Sequence, residues 1–177
     1  MQRINVVGTT GSGKTTVARR IAEALGFPHV ELDALHWGPG WEEAPGNELR
    51  ERVSEATRGS SWVVDGNYGK VRDIVWGRAD TVVWLDYSFP RIFLRLLWRT
   101  LRRGVLRETL WNGNRESLTM ALSKDSILLW AITSYPKNKE EYPKLMSSPE
   151  YAHIRFLRHG LPRETEEWLK SLGSSSD

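Results

Sequence analysis

The run Gly8-Thr9-Thr10-Gly11-Ser12-Gly13-Lys14-Thr15 limits what this chain can fold into more than any other stretch. It follows the apolar, β-type residues 4–7 and precedes Val17, Ile21, Ala22 and Leu25, which recur at helical spacing. A strand, a glycine-rich loop and a helix are therefore expected in that order, the helix ending at Gly26 with Pro28 just beyond. The spacing G-x-x-x-x-G-K-[ST] in that setting predicts a loop that binds phosphates. Glycines let backbone N–H groups converge on one anion, and the helix start adds the positive end of its dipole. Lys14 is expected to reach the β- and γ-phosphates of ATP, and Thr15 to offer its hydroxyl to Mg²⁺. Gly8, Thr10, Gly11, Ser12, Gly13 and Thr16 complete the expected nucleotide cradle.

Further short apolar runs at 62–64, 81–85 and 154–157 read as strands, and another strand-like run precedes Asp33. Helical patterns fill 47–58, 89–103, 115–133, 137–146 and 163–172. Strands alternating with helices predict an α/β fold of three layers, with a five-stranded parallel sheet covered on both faces. One domain is expected over residues 1–172, with an insertion at about 34–60 and a lid at about 104–116. Residues 173–177 read as a flexible tail. The cluster from Trp37 to Pro45 reads as a shaped loop, and 104–113 as a mobile one.

At 177 residues with 40% hydrophobic and 27% charged residues, the chain has the composition of a soluble globular protein. No apolar run is long enough to cross a bilayer and no signal peptide is legible, so a cytoplasmic location without a membrane partner is expected. There is no cysteine, which excludes disulfides, thiolate metal sites and cysteine nucleophiles. A net charge of +3 suggests an anionic partner without separating nucleotide from nucleic acid. Oligomeric state is left at monomer or homodimer.

Two aspartates close apolar runs. Asp65 stands where ligands of open α/β sheets bind, which makes it the candidate carboxylate behind Mg²⁺; an ordinary turn before Gly66 is the alternative. Asp86 leads into a helix entry and reads as structural. Between Arg91 and Arg115 lie seven arginines against one acid, Glu108. At 100° per residue Arg91, Arg95, Arg99, Arg102 and Arg103 share one arc, with Phe93, Leu94, Leu97, Trp98 and Leu101 on the opposite side. Such a stripe is either a solvated basic face or one wall of a phosphate-transfer site. Beside a phosphate loop the second reading is preferred, with Arg95 and Arg99 first and Arg102 or Arg103 next.

These residues resemble the adenylate-kinase-like group of P-loop kinases, and within it the family of DNA topology modulation proteins. The resemblance is carried by residues 8–15, by Leu32-Asp33-Ala34-Leu35-His36-Trp37 with Pro39-Gly40-Trp41, by Asp65-Gly66-Asn67-Tyr68-Gly69, and by residues 86–103. It implies a nucleoside/nucleotide-kinase-like fold with a small arginine-rich helical lid. Asp65 would help to hold Mg²⁺, Arg95 would pack on adenine and Arg99 would contact phosphates. Residues 159–162 would lie near the base. Where adenylate kinases carry Asp-Gly-Phe-Pro-Arg, this chain has Asn67, Tyr68, Gly69 and Lys70 after Asp65-Gly66, so the acceptor does not carry over.

The shikimate and gluconate kinases, which the chain also resembles, use an aspartate near Asp33 to bind or deprotonate an acceptor hydroxyl. Asp33 is thus either a general base or the cap of a short helix starting at Ala34. His36 is expected to be a hydrogen-bonded structural residue. Trp37 and Trp41 could wall an acceptor or pack a small core. The preferred function is transfer of the γ-phosphoryl of ATP to a small-molecule or nucleotide acceptor by Lys14, Asp33, Arg95, Arg99 and Arg103. The alternative is a nucleotide-dependent regulatory protein acting on DNA, although no nucleic-acid module or basic tail is legible.

Overall fold

In a parallel sheet every strand is buried on both faces, so side chains of alternating direction must feed two separate cores. The computed structural model describes residues 1–106 and 127–173, the side chains of 103–106 excepted. Its strands are β1 (Arg3–Gly8), β2 (His29–Glu31), β3 (Trp62–Asp65), β4 (Thr81–Leu85) and β5 (Arg155–His159). They form one five-stranded sheet in the order β2-β3-β1-β4-β5, and all four pairings are parallel. Ile4, Val6, Val63, Val83 and Leu85 serve one core, while Val7, Trp62, Val64, Val82 and Trp84 serve the other.

The helices are α1 (Lys14–Leu25), α2 (Leu32–His36), α3 (Gly46–Ala56), α4 (Arg72–Arg78), α5 (Phe89–Leu106), α6 (Ile127–Met146) and α7 (Pro162–Gly173). Helix α1 turns Val17, Ala18 and Ile21 into the first core, joined by Leu169 and Leu172 of α7. Helices α3, α4 and α6 cover the second through Leu49, Val53, Val75, Trp76 and Tyr142. Among the described residues no helix is long and apolar enough to cross a membrane.

Three expectations need correction. The seven-residue α4 carries too few apolar repeats to register as a period, and it was not expected. The break anticipated at 134–136 is absent, because α6 runs through Pro136 and Pro143. The hydroxyls of Thr133 and Ser134 bond back to the carbonyls of Leu129 and Trp130 in the turn before Pro136. Helix α5 continues to Leu106, so residues 104–106 are helical and not loop. The rest of the expected lid, the helical pattern from 115 to 126 and the tail beyond 173 lie outside the described residues.

Helix α5 docks along the edge of its arginine arc. Ile92 and Leu96 are buried at 1% and 0%, whereas Leu94, Trp98 and Leu101 of the apolar arc are exposed. The side facing the molecule is therefore the one flanked by arginines.

Candidate active site

All five strands end on one rim, and β1 delivers the glycine-rich loop to its middle. Gly8, Gly11 and Gly13 all have positive φ, at 150°, 88° and 95°. At Gly11 a Cβ would stand 3.0 Å from the Ile92 carbonyl and 3.0 Å from Leu96 Cβ, so only glycine lets α5 close against the loop. Gly13 is the left-handed residue before α1. Ser12 Oγ is buried and has no hydrogen-bond partner, an orphan polar atom inside a cradle of curled backbone.

Lys14 donates to the Thr9 carbonyl at 3.5 Å, across the loop. Burial pushes its ammonium below the usual lysine range, and Arg99 adds to this, while Asp33 and Asp65 pull it back up. The half-buried lysine thus lies within electrostatic reach of two carboxylates and a second cation. Thr15 Oγ1 donates to Asp65 Oδ1 at 3.3 Å. Asp65 is 2% exposed, and its other oxygen, Oδ2, lies 2.8 Å from His29 Nε2. Thr10 is half-buried and Thr16 exposed.

Arg95 lays its guanidinium over the loop, 3.4 Å from the Ser12 carbonyl and within 2.9 Å of where a Gly13 Cβ would be. Arg99 is half-buried one turn further along α5, near Lys14. The Arg103 side chain lies outside the described residues. Asp33 is not a helix cap: Glu31 occupies the N-cap of α2, and Asp33 sits in its first turn. Its Oδ1 accepts a 2.7 Å hydrogen bond from Tyr68. Burial, and then the charge of Asp33, hold the Tyr68 phenol far above its usual range, so it remains a donor.

Around this pair the insertion builds an aromatic corner. His36 is buried, with its ring 4.6 Å from Trp37 and 4.6 Å from Tyr68, and Trp37 meets Trp41 at 5.7 Å. Trp41 has a φ of 62°, a conformation that bulky side chains rarely adopt. Trp37 and Glu43 form an isolated antiparallel bridge that closes the loop. Asp86 is the structural residue expected: it is buried and accepts from Lys139 at 2.8 Å and from Arg158 at 2.8 Å.

His29, Tyr68 and Asn138 were not anticipated. Asn138 donates to Thr9 Oγ1 at 3.1 Å, which ties α6 to the loop. His29, Glu31 and Asp33 alternate in sequence, a faint strand signal in a β2 of only three residues.

Comparison with known proteins places this arrangement. A relative from Pyrococcus abyssi named "Putative adenylate kinase" is 31% identical over 83% of this chain and 77% of its own length. The chain belongs to the adenylate-kinase-like P-loop kinases. A second protein of the same name, from Thermococcus gammatolerans, is 37% identical over 59% of this chain, which spans only 58% of that relative. The family model for ATPases associated with various cellular activities (AAA) matches residues 4–86, from the loop-bearing strand to the end of β4. Among solved structures, a gluconokinase from Sinorhizobium meliloti 1021 superposes with a TM-score of 0.53. It covers 98% of this chain and 94% of its own at 21% identity, a likeness in fold.

The site residues fit a hydrated Mg²⁺. Magnesium is usually held by one or two carboxylates together with substrate phosphates and water. Thr15 Oγ1 and Asp65 Oδ1, two hard oxygens 3.3 Å apart, are such a donor set. Among the described residues no cluster of three or more His, Asp or Glu offers a protein cage instead.

Proposed function

We propose that this chain transfers the γ-phosphoryl group of ATP to a hydroxyl or phosphate of a small-molecule or nucleotide acceptor. One observation carries the reading: Lys14, half-buried and bonded across the loop to the Thr9 carbonyl, feels the charges of Asp33, Asp65 and Arg99. Cations for the donor phosphates, a candidate metal carboxylate and a candidate base thus lie within electrostatic reach of one lysine.

The loop amides and Lys14 would bind the β- and γ-phosphates, with Arg95 and Arg99 offsetting charge that builds up as the group moves. Mg²⁺, held through Thr15 and Asp65, would neutralise phosphate charge and fix the orientation of the donor. Asp33, held by Tyr68, would take the proton of an acceptor hydroxyl while the acceptor's oxygen forms the bond to phosphorus and the β–γ bridging oxygen leaves with the electron pair; an ionised phosphate acceptor would attack without that proton transfer. The aromatic corner of His36, Trp37 and Trp41 would form the acceptor side. The soluble kinase-like architecture accords with a cytoplasmic location.

ATP consumption screened against nucleoside monophosphates, nucleosides, sugars and hydroxy acids tests this. One acceptor class is expected to stimulate turnover, Lys14→Ala to abolish it, and Arg99→Ala to lower it about a hundredfold or more, since one arginine on a transferring phosphoryl group contributes roughly 10³ to 10⁵. Normal turnover in the Lys14 variant would overturn the proposal. A flat response across the panel would favour a nucleotide-dependent regulator of DNA, whose duplex binding should weaken steeply with salt. The position of Arg95 on the loop favours the kinase reading.

A further inference from the structure

A carboxylate that holds a metal has two oxygens, and what occupies the second decides where the first points. In Asp65 the two are divided. Oδ1 accepts from Thr15 at 3.3 Å, and Oδ2 meets His29 Nε2 at 2.8 Å. His29 lies on the edge strand β2, with 15% of its side chain exposed against 3% for Asp65. Its Nδ1 is 4.0 Å from Glu31 Oε1, and the same glutamate oxygen is 3.7 Å from Arg19 of α1. The imidazole thus stands between two carboxylates, on the side of Asp65 away from the loop. The terminal torsion of an aspartate is broad and roughly two-fold, so a carboxylate held at one oxygen alone can swing. Held at both, it keeps one oxygen directed at Thr15.

We propose that His29 is a positioning residue for the metal: by donating to Oδ2 it holds Oδ1 of Asp65 beside the Thr15 hydroxyl, in the pose that receives Mg²⁺. This rests on the reading of Thr15 and Asp65 as the metal-holding pair. A histidine that only satisfied a buried acid would change stability, and would change nucleotide binding equally with and without metal. A positioning histidine changes the metal dependence alone.

The experiment measures ATP binding to the full chain by calorimetry, in EDTA and across a MgCl₂ series, with thermal melts to confirm folding. His29→Met keeps similar volume without a donor, and His29→Gln keeps a donor of similar reach. The methionine variant is expected to need about tenfold or more Mg²⁺ for half-maximal tightening, the scale of loss when an outer partner of a metal ligand is removed. Its affinity for ATP in EDTA should match the natural protein, and the glutamine variant should recover most of the difference. An unchanged Mg²⁺ midpoint in His29→Met, or equal weakening with and without metal, would overturn the inference. Should that variant not fold, His29→Asn, whose amide is too short to reach Asp65, gives the same comparison. Absence of any Mg²⁺ dependence in the natural protein would instead remove the metal reading of Thr15 and Asp65, a separate failure.

Discussion

In the proposed reaction much of the acceptor side would depend on one hydroxyl, that of Tyr68. Its 2.7 Å bond to Asp33 holds one carboxylate oxygen, and the other would meet the acceptor. Hydrogen bonds to charged groups contribute about 1.5–3 kcal/mol, and about 1.4 kcal/mol is tenfold in rate. Tyr68→Phe is therefore expected to lower kcat by roughly 10- to 100-fold while leaving ATP affinity unchanged; equal steady-state kinetics in the two proteins would show that the bond does not position Asp33. The geometry of the glycine-rich loop was legible because the loop is local: eight consecutive residues carry it, and their spacing is set by backbone geometry. The contacts of Tyr68 and His29 were not, because their partners lie 35 and 36 residues away in sequence. Nor does periodicity say whether Asp33 caps α2 or stands inside it; the helix starts two residues earlier than expected, at Leu32 and not Ala34, and that decides it.

At the scale of elements, the strands were the easier part to read. Continuous apolar runs ending in Gly8, Asp65 and Asp86 leave few alternatives for a buried parallel sheet. Helices were harder where packing competes with pattern. In α5 the pattern left open whether the arginine stripe faces solvent or the loop; Ile92 and Leu96 against Gly11, and Arg95 over Gly13, turn the arginine-flanked side to the loop. Helix α6 is tied down by charge: Lys139 donates to both oxygens of Asp86 at 2.8 and 2.9 Å, and Arg158 of β5 shares that carboxylate. Asp86 has 3% of its side chain exposed, Lys139 39% and Arg158 56%. Removing both cations strands a buried charge, whereas removing the acid leaves cations that reach water. The double variant Lys139→Met with Arg158→Met should therefore cost about 3 kcal/mol or more in chemical denaturation, and Asp86→Ala about 1 kcal/mol. The reverse order would refute this account of the clamp.

For the molecule as a whole, two buried histidines set how stability responds to acid. Burial pushes both His36 and His159 below the usual histidine pKa, with Glu43 and Glu164 respectively opposing the shift. The unfolded chain then takes up protons near pH 6.5 that the folded one refuses. Their contribution to stability is fully present above about pH 6.5 and is lost as pH falls from there toward the lowered folded values, flattening below them. Urea midpoints measured from pH 7.5 to 5.5 should decline on the acid side, and replacing both histidines with glutamine should flatten that slope; an unchanged slope would place the sensitivity elsewhere. The distribution of tryptophans has a practical consequence. Trp62, Trp76 and Trp84 are sealed in the core at 1–2% exposure, while Trp37 and Trp41 touch each other on the half-buried corner beside Asp33. Indole emission follows the polarity around the ring, so the sealed set supplies a constant background, and comparing the natural protein with Trp37→Phe and Trp41→Phe variants isolates the part that the corner pair contributes. That difference is an optical gauge, without any label, for compounds entering the corner proposed as the acceptor side.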